Sequence, residues 1–175
     1  DQIFADFQNG MPGAAVMVIE DGEIILQKGY GLARVSDQTS VTADTNFRLA
    51  SVTKQFTAMT ILQLIERGQL SFETSLTDIF PDFPEYGQVI TIRHMLQHSS
   101  GIKDYGPMSS MDLGRQFNDQ DVVDYLMTLD DVDFKVGEKH VYSNSAYVTF
   151  TKIHEKIIGQ PWHEYVKENI FDPIG

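Results

Sequence analysis

The sequence contains no cysteine, which excludes disulfides, thiolate nucleophiles and cysteine-ligated metal but fits either redox compartment. No run of about 18 uncharged apolar residues occurs, so no segment reads as a membrane-spanning helix. Residue 1 does not open a signal peptide, and a mature or trimmed chain is expected. Positive charge is scarce, with 13 Lys and Arg against 25 Asp and Glu, giving a net charge of −12 without long like-charge blocks. Such a surface repels phosphate backbones, so neither nucleic acid nor an anionic membrane is an expected partner. No internal repeat or low-complexity segment is present. What remains is a chain of 175 residues, long enough for one domain that buries roughly 70% of its unfolded surface.

Residues 1 to 9 place Ile3, Phe4 and Phe7 at helical spacing, and Gly10 and Pro12 stop the pattern. AAVMVIE, Asp21-Gly22 and EIILQKGYG then give the strongest hairpin signal in the chain. The first of these strands, Ala14 to Ile19, is apolar without alternation and so predicts cover on both faces. Only a short strand near Phe47 offers itself as a further partner, and a lone hairpin is marginal. Residues 32–46 read as a connecting loop. Beyond them come helical patterns at Val52 to Arg67, Thr77 to Phe80, Thr91 to Gly101, Asp121 to Thr128, Asn144 to Ile158 and Pro161 to Ile170, with a surface loop over 102–119. The expected fold class is α+β, one domain over 1–175. Its N-terminal helix, hairpin and loop occupy 1–46, and a mainly helical region occupies 47–175.

The longest apolar stretch, Phe47 to Leu70, carries Ser51 and Lys54 one helical turn apart. Apolar residues from Val52 to Ile65 lie nearly all round the helical wheel, which predicts a helix buried on every side and ended by Gly68. Ser51 then falls at the N-cap or first turn, where the helix dipole and unpaired N–H groups can hold an oxyanion. Lys54 at i+3 shares its face, and an apolar setting lowers a lysine pKa, so the amine can serve Ser51 as general base. An S-x-x-K match arises by chance roughly 0.6 times in a chain this long. Ser100 and Lys103 form such a match, interrupted by Gly101 and followed by no apolar run. Context separates the two pairs, and a purely structural role for Ser51 and Lys54 stays open.

Tyr142-Ser143-Asn144 precedes a helix. A phenol there that reaches Lys54 can shuttle a proton to a leaving group, and Asn144 offers a donor and an acceptor to an amide substrate. The same residues also read as a packed aromatic and an N-cap. His94 and His98 have the i, i+4 spacing of two zinc ligands, but Met95 stands where H-E-x-x-H needs glutamate and no third ligand is evident, so no metal is expected. Gly29-Tyr30-Gly31 lacks a third glycine and opens no helix, so no dinucleotide is expected either. No cofactor is called for.

FRLASVTKQFTA, ITIRHMLQHSSGI and VGEKHVYSNSAY, in that order, resemble the serine β-lactamase and penicillin-binding-protein family, and within it the class C β-lactamase-like branch. S-V-T-K resembles its S-x-x-K motif and Y-S-N its Y-x-N motif. The resemblance implies that Ser51 is the acylated nucleophile, Lys54 its base partner, Tyr142 the proton shuttle and Asn144 a substrate-amide contact. It implies a serine hydrolase acting through an acyl-enzyme on β-lactams, D-Ala-D-Ala peptides or small esters, and a periplasmic or secreted location. The alternative is a penicillin-recognising module kept for binding or regulation without catalysis.

Val136 stands where the family usually has proline, and Ala50 and Ala146 stand where glycine is common. The larger departure is that no K-T-G or H-x-G triad occurs in the chain. In the family that triad lies on a C-terminal strand that supplies the second oxyanion N–H, and neighbouring strands complete the sheet. The missing sheet partners and the missing motif point to one missing segment. The chain is therefore expected to be the N-terminal part of a longer enzyme, joined by a C-terminal segment as a second chain or a continuation. Alone it is expected to be inactive, since loss of an oxyanion donor costs roughly 10²- to 10³-fold, and to self-associate through the open hairpin edge.

Overall fold

A computed structural model describes residues 2–7, 10–110 and 114–174. The chain forms two compact units, residues 1–49 and 50–175. In the first unit a short 3-10 helix, Gln2–Phe7, covers the described part of the expected N-terminal helix; Asp1, Gln8 and Asn9 lie outside the described residues. Strands β1 (Ala14–Glu20) and β2 (Glu23–Tyr30) pair antiparallel, with Glu20 opposite Glu23 and an irregularity at Val18/Ile19. Asp21 (φ +49) and Gly22 (φ +83) both take the left-handed conformation that a two-residue hairpin turn matched to strand twist requires, which is why Asp-Gly marks this turn. The expected loop at 32–46 instead holds a second small antiparallel pair, β3 (Leu32–Arg34) and β4 (Thr39–Ser40). Its turn is fixed by Asp37, which accepts from Thr39 N, Thr39 Oγ1 and Arg34 Nη1. No strand forms at Phe47.

Met17, Val18 and Ile19 on β1 and Ile24, Ile25 and Leu26 on β2 are all exposed. The hairpin remains a two-stranded sheet with apolar residues open on both faces, whereas a strand without alternation predicts cover on both; no further strand among the described residues pairs with it.

The second unit is helical. A 3-10 turn, Ala50–Val52, leads into α1 (Thr53–Glu66). Then follow α2 (Leu76–Ile79), α3 (Ile92–Leu96), α4 (Asp119–Met127), α5 (Asn144–Ile158) and α6 (Trp162–Val166), the last continued by a widened turn over Lys167–Phe171. Ser75, Thr91 and Asn118 cap their helices through boxes closed by Asp78, His94 and Asp121, so polar side chains fix where each helix starts. The core joins Ile61 and Leu64 of α1 to Leu76, Ile92, Met95, Leu126, Phe150 and Ile153. Burying a side chain of this size contributes about 1.5–3 kcal/mol before the cost of ordering it.

Three expectations need correction. α1 is not buried all round, because Val52, Met59 and Leu62 are exposed and only Thr57, Thr60, Ile61 and Leu64 are fully buried. Its apolar wheel exceeds what the neighbouring helices of this unit cover. Second, α3 ends at Leu96, with His98 in the left-handed conformation (φ +55); Gly101 lies beyond the end. A side chain at Gly101 would meet Phe134 O at 2.3 Å, so that glycine serves a close backbone approach. Third, 102–119 is not simply a surface loop: Ile102 and Met108 are buried and Gly106–Ser110 forms a 3-10 helix, while Met111, Asp112 and Leu113 lie outside the described residues. No described helix is long and apolar enough to cross a membrane.

Candidate active site

Ser51 lies in the 3-10 turn one residue before the N-cap position of α1, which Val52 occupies without a side-chain cap bond. The hydroxyl is therefore not spent on the helix. Ala50, immediately before it, has φ +46, a conformation that disfavours a Cβ and explains why glycine suits this position. Lys54 follows on the first turn of α1 and is half-buried. Its Nζ stands 3.4 Å from Ser51 Oγ and donates to Asn144 Oδ1 at 2.7 Å.

Tyr142 and Asn144 reach the same place from the segment that enters α5. Ser143, not Asn144, caps that helix, its Oγ accepting from Ala146 N at 3.1 Å. With the cap supplied by its neighbour, the Asn144 side chain is available to Lys54. Tyr142 OH and Ser51 Oγ share a hydrogen bond of 2.5 Å, and Lys54 Nζ sits 4.7 Å from the Tyr142 ring centroid. Lys54 first, and the Ser51 hydroxyl second, pull the Tyr142 phenol below its ordinary pKa. All four residues singled out from sequence, Ser51, Lys54, Tyr142 and Asn144, thus converge. They come together across about ninety residues of chain because α1 and α5 pack side by side. A cavity of about 410 Å³ opens at Ser51, lined also by Tyr105, Asp119, Tyr147, Thr151 and Trp162.

The histidines at i, i+4 do not share one task. His94 Nδ1 closes the Thr91 capping box by accepting from Thr91 N at 3.3 Å, and lies 2.9 Å from Thr91 Oγ1. His98 Nδ1 accepts from Ser143 N at 3.1 Å, and His98 O accepts from Val141 N at 2.8 Å. This link to the Tyr142 segment spans 45 residues, and helical spacing carries no signal for it. Among the described residues no group of three or more His, Asp or Glu side chains is arranged to hold a metal ion.

A family model described as Beta-lactamase matches residues 1–175. The chain belongs to the β-lactamase family. Among curated relatives, penicillin-binding protein 4* of Bacillus subtilis (strain 168) is 35% identical over 163 residues, 91% of this chain and 36% of that protein. The chain thus spans about a third of the length of that relative. Among solved structures, the octameric penicillin-binding protein homologue from Pyrococcus abyssi matches with a TM-score of 0.78 at 30% identity, covering 94% of this chain and 39% of that one. D-amino acid amidase from Ochrobactrum anthropi SV3 matches with a TM-score of 0.79 at 28% identity, covering 94% and 45%. The structure is accordingly a partial β-lactamase fold, helical with a small hairpin. The family's members support a serine-hydrolase ancestry for this one.

Proposed function

We propose that Ser51 is the nucleophile of an acyl-serine hydrolase acting on β-lactam, D-Ala-D-Ala peptide or small ester or amide substrates. One observation carries the reading: a single hydrogen-bonded chain runs from Tyr142 OH to Ser51 Oγ, then through Lys54 Nζ to Asn144 Oδ1, at the edge of a cavity. In the step this supports, Tyr142 starts as the phenolate, Ser51 Oγ bonds to the substrate carbonyl carbon, and the serine proton passes to the Tyr142 oxygen. Tyr142 then returns that proton to the leaving nitrogen or oxygen as the acyl bond breaks, and water hydrolyses the ester on Ser51. The 2.5 Å contact favours Tyr142 over Lys54, at 3.4 Å, as the first proton acceptor. Lys54 stabilises the phenolate from over the face of its ring, 4.7 Å from the centroid.

Completion of the site by further strands is part of the same proposal. The hairpin's open apolar faces and the exposed Met59 and Leu62 of α1, with Val52 just before it, support it, as does a chain length about a third of a curated relative's. Such strands would provide the second oxyanion donor and one pocket wall.

The test is intact-mass analysis of the full-length protein after exposure to a penicillin and to a fluorophosphonate. A single adduct, absent in Ser51→Ala, is expected. No adduct with either reagent, or an equal adduct on Ser51→Ala, would remove Ser51 as nucleophile and leave a binding module.

A further inference from the structure

The segment that carries Tyr142 is held by one residue outside the reacting set. His98 O accepts from Val141 N at 2.8 Å and His98 Nδ1 accepts from Ser143 N at 3.1 Å, so the residues on both sides of Tyr142 hang from a single histidine. The imidazole also packs against the rings it positions, its centroid 4.8 Å from that of Tyr142 and 4.9 Å from that of Tyr147. His98 adopts φ +55, a conformation uncommon for a residue with a Cβ, and that backbone turns the carbonyl and ring toward the same stretch of chain.

We propose that His98 is a positioning residue of the acylation site: as a neutral imidazole accepting at Nδ1 it fixes Tyr142 against Ser51, and its protonation releases this clamp, slowing acylation in mild acid. The proposal rests on the reading of Ser51 as nucleophile. Its physical basis is that Nδ1 can accept the Ser143 N–H only while it carries a lone pair; an imidazolium presents N–H at both ring nitrogens, so two donors would face each other. The groups facing the ring are Tyr142 and His140 from the segment before α5, Lys54 from α1 and Tyr147 from α5. None of them is a carboxylate that would stabilise an imidazolium. Burial first, then His140 and Lys54, hold the His98 pKa below its ordinary value, so the clamp is closed at neutral pH and opens below about 6.5.

Two variants separate the clamp from mere packing. Asparagine tolerates the left-handed conformation and places an amide oxygen near the Nδ1 position, but it does not titrate. Alanine offers neither acceptor nor ring. Acylation of the full-length protein by a fluorophosphonate, followed by intact mass from pH 4.5 to 8, should show in the wild type a drop of at least tenfold as His98 protonates. In H98N the extra drop at the His98 midpoint should vanish, leaving only the slope set by Tyr142, while most of the rate at pH 8 remains, and H98A should be at least tenfold slow throughout. In parallel, NMR of the wild type should show the Ser143 amide shifting with the same midpoint as the His98 ring. An inflection at the His98 midpoint that persists in H98N, or a Ser143 amide indifferent to His98, would overturn the proposal. A wild type that never acylates would overturn the hydrolase reading alone, and the Ser143 titration would still decide whether the clamp exists.

Discussion

Lys54 Nζ donates to Asn144 Oδ1 across 2.7 Å, tying the first turn of α1 to the first residue of α5. This contact holds the lysine over the Tyr142 ring, and its compact ammonium fits there as a planar fork would not. Lys54→Arg should therefore slow acylation by about 10²-fold or more even though positive charge is kept, and Tyr142→Phe should slow it by about 10²- to 10⁴-fold. With the phenol pulled below its ordinary value, the rate in wild type should climb with pH through a midpoint below about 10. Adduct formation followed by mass spectrometry checks each; an undiminished rate in Tyr142→Phe would return the base role to Lys54.

Ala50 is strained and exposed, at φ +46 beside Ser51. Glycine would relieve about 1–2 kcal/mol of left-handed penalty and give back part of it as unfolded-chain entropy. Ala50→Gly should raise unfolding stability by about 0.5–1 kcal/mol in urea titrations. A destabilised variant would mean that the turn is shaped by something other than this angle.

His154 is fully buried on α5, edge-on to Tyr165, with neither ring nitrogen hydrogen-bonded. Burial pushes its pKa down to about 4, whereas the unfolded chain titrates near 6.5. Between these values the unfolded state binds a proton that the folded state refuses, so this contribution is complete above about 6.5 and is lost as pH falls through about 4. The loss amounts to about 3 kcal/mol. Urea unfolding at pH 7.5 and 4.5 should show His154→Phe losing about 2.5 kcal/mol less than wild type. Equal losses would indicate that the imidazole accepts its proton in place.

The hairpin should make residues 1–175 self-associate, since Val18 and Ile25 are exposed on open strands. Light scattering should report a mass above monomer that falls toward monomer in Val18→Lys/Ile25→Lys. Monomeric wild-type chain at tens of micromolar would argue against an adhesive edge.

Much of this was legible in the sequence wherever local chemistry decides the outcome. Asp21-Gly22 marks its own turn, Thr91 its own cap, and the stripe from Tyr147 to Ile157 its own helix from Asn144 to Ile158. Ser51, Lys54, Tyr142 and Asn144 could be singled out near helix starts, but their spacing left structural roles open, and it was the resemblance of S-V-T-K and Y-S-N to family motifs that put them together. Three features were not legible. The β3–β4 pair depends on a side-chain turn at Asp37 within a polar stretch that reads as loop. The open stripe on α1 depends on which neighbours are present to cover it, a tertiary matter invisible to periodicity. The bond from Ser143 to His98 joins residues 45 apart, and the helical spacing of His94 and His98, from which no metal was expected, carries no trace of it.

The bond between Lys54 and Asn144 also has a polarity. Ammonium hydrogens can only be given, so one lone pair of the Asn144 carboxamide oxygen is taken by Lys54 and the amide is oriented with its NH₂ turned away from the lysine. If Lys54 keeps the amide in that orientation, a ligand oxygen facing the NH₂ would be accepted there more readily than a ligand N–H.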